Sequence, residues 1–205
     1  MNNINYQKEL DKILNKLKEN KNTKTSLLLH SCCAPCSSYV LQYLTNYFDI
    51  TVLYYNPNIT DRNEYEKRKS EQIRLIGEMP HIHDINIIDT EHEPEKFYDI
   101  AKGLENCPEC GERCLKCYKL RLEKTAQTAK ENNFDYFCTT LTISPLKSSK
   151  AINQIGIELA KQYGVEFLPS DFKKKEGFKT SIELSKKYGL YRQNYCGCEF
   201  SKPEI

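Results

Sequence analysis

Three short stretches of the chain carry thiols at spacings that suit metal binding or redox chemistry. The first is His30-Ser31-Cys32-Cys33-Ala34-Pro35-Cys36-Ser37. It follows an apolar run and precedes a helical pattern, so the positive end of a helix dipole would favour the thiolates that ligate metals or attack electrophiles. The second is Cys107-Pro108-Glu109-Cys110-Gly111-Glu112-Arg113-Cys114-Leu115-Lys116-Cys117, two cysteine pairs of metal-ligand spacing. Four such sulfurs satisfy a structural zinc or an iron–sulfur cluster, and this block by itself leans to zinc. The third is Tyr195-Cys196-Gly197-Cys198. A disulfide across one glycine is strained and labile, which suits redox cycling; both residues as further ligands is the competing reading. Cys138 stands alone in an apolar stretch and reads as core packing.

Counting separates the alternatives. A single zinc uses four thiolates, while the three groups hold nine of the ten cysteines. The surplus calls for electron transfer, a second metal, or both, and soft thiolates in a reducing compartment point to iron–sulfur. The segment before residue 25 is polar and mixed in charge, unlike a secretory signal, and no apolar run is long enough for a membrane span. The expected location is therefore cytoplasmic, where thiols stay reduced and disulfide scaffolds are rare. Net charge is +2, from 30 basic and 28 acidic side chains. That balance does not declare a nucleic-acid partner, although basic residues gather at 67–69, 116–121, 147–150, 173–175 and 186–192.

The elements that must position these thiols alternate along the chain. Leu10, Ile13, Leu14 and Leu17 predict an amphipathic helix over about 4–20. Strands are predicted at 26–32, 50–58, 85–90, 134–144 and 165–172. Between and after them, helices are expected from caps at Ser37 or Ser38, at Thr60 or Asp61 (to about Met79), over 113–132, over 148–163 with Gly164 as its stop, and over 181–188. This order gives an α/β, Rossmann-like three-layer domain with a mostly parallel sheet of about five strands. One domain over 1–205 is expected, bearing a metal-binding cysteine loop at 107–117. Ligands of such sheets bind beyond the strands' carboxyl ends, where Cys32, Cys33 and Cys36 fall. An ATP-using enzyme on the same fold would need a glycine-rich phosphate loop at that point, and residues 30–37 contain no glycine.

Four motifs taken in order carry a resemblance: HSCCAPCS at 30–37, ERCLKCYKLRLEKTA at 112–126, FCTTLTISPLKS at 137–148 with INQIG after it, and LYRQNYCGCEFS at 190–201. Together they resemble QueH, the epoxyqueuosine reductase unrelated to the cobalamin-dependent QueG. The resemblance implies a fold of the adenine-nucleotide α-hydrolase (HUP) type. It also implies reduction of the epoxide of epoxyqueuosine to queuosine at the tRNA wobble position. By motif, a 4Fe–4S cluster falls on Cys32, Cys33, Cys114 and Cys117, and a redox-active disulfide on Cys196 and Cys198. A further iron or zinc beside the cluster is implied too, with Cys36 as the candidate ligand. Cys107 and Cys110 fall outside the resemblance. An additional zinc site, a replacement cluster ligand and plain exposed thiols all stay open for them.

Removing an epoxide oxygen takes two electrons, a Lewis acid for the oxygen and a proton donor to release it as water. His30 and Tyr195 are the candidate donors, and an external electron donor must reset the disulfide. For the tRNA, Arg192, Lys147 and Lys119 or Arg121 are expected on phosphates, with Tyr191 or Tyr195 stacking on an unpaired base. The rival from another class is a zinc-stabilised RNA-binding module without catalysis. It leaves Cys32, Cys33, Cys36, Cys196 and Cys198 without a task.

Overall fold

The computed structural model describes residues 4–19, 25–80 and 85–202. Helix α1 spans Tyr6–Glu19, so the expected helix is present and residue 20 lies outside the described residues. Strand β1 is Ser26–His30, followed by α2 at Ala34–Leu44, β2 at Asp49–Tyr54, α3 at Arg62–Glu78 and β3 at Ile85–Asp89. Then come α4 at Pro94–Ala101, α5 at Glu112–Glu131, β4 at Tyr136–Thr139, α6 at Ser149–Tyr163, β5 at Glu166–Phe167 and α7 at Gly177–Lys187. All pairings are parallel, in the order β3-β2-β1-β4-β5.

Both faces of the sheet are covered, which is why β1 is almost continuously apolar. Leu27 and Leu29 face α1 and α2, packing with Leu10, Leu14, Val40 and Leu44. Leu28, pointing the other way, packs with Phe137 and with Leu122 of α5 and Ile152 of α6. Chain order reverses between β1 and β4, so the sheet's switch point lies where those two strands end.

Several boundaries differ from the sequence expectation, each for a local reason. Ser37 and Ser38 do not cap α2; Cys33 does, in extended backbone, with Pro35 in the first turn. The two serines sit inside the helix and donate back to the carbonyls of Ala34 and Pro35. β4 ends at Thr139 because its hydroxyl accepts the N–H of Leu141 and starts a 3-10 turn at Thr140–Ile143. β5 is two residues long because Asn153 of α6 then takes over the pairing. Its amide accepts from the N–H of Ser170 and donates to the same residue's carbonyl. Helix α4 was not expected, since its eight residues bury only Phe97 and Ala101. The 107–117 stretch is a loop only to Gly111. Cys114 and Cys117 stand on the opening turns of α5.

Candidate functional site

The thiols converge at the switch point. With α2 starting at Ala34, the helix N-terminus stands directly behind Cys32 and Cys33, closer than a Ser37 cap would have put it. Cys36, three residues beyond Cys33, turns back onto the same spot. The sulfurs of Cys32, Cys33 and Cys36 all lie within 4.8 Å of one another, and Cys32 and Cys33 are 3.8 Å apart. Four sulfurs at about 2.3 Å around a tetrahedral ion would stand about 3.8 Å apart, so the spacing suits a thiophilic metal. Among the described residues this is the one group of three or more metal-ligating side chains at such spacing.

Surrounding bonds fix the turn. Ser31 and Ser37 both donate to Gln72 Oε1, at 2.6 and 2.7 Å, and Asn56 Nδ2 donates to the Ser31 carbonyl. Cys32 N–H donates to Thr140 Oγ1 of the 3-10 turn, joining the ends of β1 and β4. His30 is fully buried, with Nδ1 2.9 Å from Thr139 Oγ1 and Nε2 3.1 Å from the Tyr55 carbonyl. A carbonyl can only accept, so Nε2 carries the proton and Nδ1 takes the threonine's. Burial, aided by Arg121, pushes the ring's pKa down to about 4. His30 is thus a neutral brace with both nitrogens in use.

Cys114 and Cys117, three apart on α5, share one helix face. Cys117 packs with Phe97, Ala101 and Cys198. The C-terminal segment closes this side. Asn58 Nδ2 donates to the Cys196 carbonyl, Thr60 N–H donates to that of Gly197, and Gln193 Nε2 donates to Cys33 Sγ at 2.9 Å. All ten cysteines are unpaired. The Cys198 thiol, against burial, holds Cys196 well below the usual thiol range, with help from Ser201 and Lys147. Cys33 and Cys36 do the same for Cys32, and are themselves pushed up, Cys33 to about 12. In each group, hydrogen bonds from the neighbouring thiols favour the thiolate at one sulfur over the others.

Two adjoining cavities separate these walls. One of about 340 Å³ is open to solvent and reaches Cys32, Cys36, Tyr195 and Arg192. An inner one of about 20 Å³, room for about one water, is walled by Cys114, Cys117, Cys196 and Cys198. Glu109, Arg121, Lys147 and Cys196 line both. Burial alone would depress Lys147, but Cys32, Cys36 and Cys196 outweigh it and keep the ammonium charged. Arg121 is 3 % exposed; burial works against its charge and the thiols of Cys117 and Cys32 restore it. Sulfur is what keeps both of these cations charged. They would balance the negative charge of thiolates and of a metal centre held there.

The family model "Epoxyqueuosine reductase QueH" matches residues 27–204. The chain belongs to the QueH family. It is 43% identical over 202 residues to the epoxyqueuosine reductase QueH of Staphylococcus epidermidis, covering 97% of this chain and 84% of that protein. The QueH of Streptococcus pyogenes serotype M1 is 42% identical over 200 residues, covering 97% and 78%. That of Thermotoga maritima is 36% identical over 182, covering 86% and 90%.

The cleft sorts the residues expected to contact tRNA. Lys147, Arg192 and Tyr195 line it. Tyr191 does not: its hydroxyl donates to Glu64, and Lys67 Nζ sits 3.5 Å over its ring. Arg121 is an interior cation rather than a surface one, and Lys119 is exposed in a separate groove between α5 and α6. Cys138 is buried in the core with its thiol raised to about 12. Sequence reasoning missed Gln193, Glu109, Asn58 and Thr140. Gln193 and Thr140 had a signal in their places within the motifs at 190–201 and 137–148, and Glu109 in its place between Cys107 and Cys110; Asn58 had none.

Proposed function

We propose that this QueH chain reduces epoxyqueuosine to queuosine at the wobble position of tRNA, the last step of queuosine biosynthesis. The observation that carries the reading is the convergence of three distant thiol segments, with the buried Arg121 and the half-buried Lys147, on one cleft at the sheet's switch point. A volume of about 340 Å³ is within the range of small-ligand sites and suits one modified base swung out of an anticodon loop.

Cys32, Cys33, Cys114 and Cys117 are the proposed ligands of a 4Fe–4S cluster, and Cys36 that of an adjacent iron or zinc. The donor set fits, being all sulfur, with Cys33 and Cys117 buried and Arg121 and Lys147 lining the same cavities. Such a centre, when bound, would supply electrons and a Lewis acid for the epoxide oxygen. The chain's own residues do the rest. The Cys196/Cys198 dithiol, on becoming a disulfide, yields the two electrons and two protons that turn an epoxide into an alkene and water. Lys147 and Arg121 hold negative charge at the cleft floor, and Tyr195, on the cleft wall with the Arg68 guanidinium 5.2 Å from its ring, is the donor left once His30 is spent. Arg192 at the rim is placed for a tRNA phosphate. An external reductant completes the cycle.

Strand order 3-2-1-4-5 supports the adenine-nucleotide α-hydrolase type, and one five-stranded sheet among the described residues supports a single domain. Among the described residues no helix is long and apolar enough to cross a membrane; the unpaired thiols support a cytoplasmic setting. A zinc-stabilised RNA module would need Cys107, Cys110, Cys114 and Cys117 around one point, and they form no such group. The test is anaerobic purification with iron and sulfide analysis, then turnover of tRNA carrying epoxyqueuosine. A brown protein with about four irons that yields queuosine supports the reading; a colourless zinc protein inert on that tRNA refutes it.

A further inference from the structure

Cys107 and Cys110 flank a short tip just ahead of α5, and neither joins a sulfur group that would hold a metal. The tip is nevertheless held with some care. Arg113, 1 % exposed, spends one guanidinium nitrogen on the carbonyls of Leu104, Glu105 and Cys107, at 2.6–2.8 Å. Cys110 is in left-handed backbone (φ +68°), a conformation that side chains other than glycine's rarely adopt. Its N–H donates to Cys114 Sγ and its thiol to the Leu146 carbonyl. Gly111 leaves the space that the Cys107 sulfur fills, for a methyl group there would stand 2.6 Å from it. The tip is also a wall of the site. Glu109, between the two cysteines, lines both cavities with Cys196, and the inner one measures only about 20 Å³.

Access differs at the ends of the two pairs. Cys110 is exposed and Cys198 only 5 % exposed, while Cys107 and Cys196 are both half-buried. A protein-sized reductant meets the tip before it meets the inner pair. We propose that Cys107 and Cys110 form a second dithiol that relays reducing equivalents from an external protein dithiol to Cys196 and Cys198. This rests on the reading of Cys196/Cys198 as the redox pair. The Cys110 thiolate attacks one sulfur of the Cys196–Cys198 disulfide, forming a mixed disulfide and releasing the other cysteine as a thiolate, which takes up the proton Cys110 gave up. The Cys107 thiolate then attacks Cys110, expelling the second cysteine, which takes up the Cys107 proton. Two electrons and two protons have moved inward. The outer pair is left as a disulfide, which the external dithiol reduces while becoming a disulfide itself.

The test uses the metal-replete enzyme and tRNA carrying epoxyqueuosine, with either reduced thioredoxin or dithiothreitol as reductant. The Cys107→Ser/Cys110→Ser double variant should lose about 10-fold or more of its thioredoxin-driven turnover, yet keep the wild-type rate with dithiothreitol, which is small enough to enter the cleft. The Cys107→Ser single variant, lacking the resolving thiol, should accumulate a Cys110–Cys196 or Cys110–Cys198 cross-link visible by non-reducing peptide mapping. Unchanged thioredoxin-driven turnover in the double variant, with Cys196→Ser inactive, overturns the relay and leaves the inner pair standing. Full turnover in Cys196→Ser overturns both. Loss of turnover with dithiothreitol as well overturns the relay in favour of a part in the chemistry or the metal site.

Discussion

Gly197 holds Cys196 and Cys198 in place, and replacing it with alanine should separate activity from stability. Its φ is +102°, a region that side chains rarely occupy, at a cost of about 1–3 kcal/mol. The added methyl would stand 2.7 Å from Ile59 Cγ1 and 3.1 Å from Ile59 Cα. Ile59 is fully buried, packed with Tyr54 and Tyr65, so it cannot yield, and overpacking adds about 1–3 kcal/mol. Together roughly 2–6 kcal/mol falls on a segment with no helix beyond a three-residue 3-10 turn. That reaches at most the low end of a whole fold's stability of roughly 5–15 kcal/mol, and a shift of the segment relieves it, so the segment should move rather than the domain unfold. A displacement near 1 Å of reacting groups costs on the order of 100-fold in rate. Gly197→Ala should therefore lose about 100-fold in kcat on epoxyqueuosine tRNA while Tm falls by only a few degrees and the cluster absorbance persists. Gly189→Ala is the control, since Gly189 also has positive φ but nothing within 4 Å. It should lower Tm by a similar few degrees with turnover intact. Wild-type turnover in Gly197→Ala would refute the argument that this backbone position aims the pair.

Three further outcomes are expected. Cys196→Ser and Cys198→Ser should each keep the brown cluster and lose turnover, because neither sulfur is among the proposed ligands; full activity in both would remove the dithiol from the mechanism. In α6, Gly156→Ala brings a methyl group against the Phe167 ring. About 1–3 kcal/mol of overpacking should lower Tm by roughly 2–12 °C in a melt, and an unchanged Tm would show that β5 repacks freely. Glu71 clamps Tyr191 N–H at 2.8 Å, and Arg74, against some burial, holds its carboxyl below the usual range. A carboxylate so depressed stabilises the fold above its unfolded pKa, and that stability is lost as pH falls through the folded value. Limited proteolysis should thus release the C-terminal segment on acidification, and Glu71→Gln should release it already at neutral pH. A variant as resistant as wild type there would dismiss the clamp.

The residues themselves announced the family and most of the fold. Apolar runs separated by capped amphipathic stretches imply parallel strands and crossover helices whatever the partners, because the chain has few other ways to bury those faces. Asp61 and Ser148 cap where their types say they should, and Gly164 ends α6 in left-handed backbone. The thiols of Cys32, Cys33 and Cys36 were equally legible, since five positions on a turn keep them close, whereas the similar spacing at 107–117 gave no such group. Contacts between distant segments were not legible. That Gln193 donates to Cys33 across 160 positions, that Arg121 turns inward, and that Tyr191 turns away to Glu64 follow from how α3, α5 and the C-terminal segment pack. Even the start of α2 was decided by tertiary structure. Ser31 and Ser37 share Gln72 of α3, so Ser37 stays within the helix and Cys33 becomes the cap. Local propensity selects among nearby caps by about 1 kcal/mol. Two buried hydrogen bonds to one side chain outweigh it, and so place the helix terminus, and its partial positive charge, on the sulfurs.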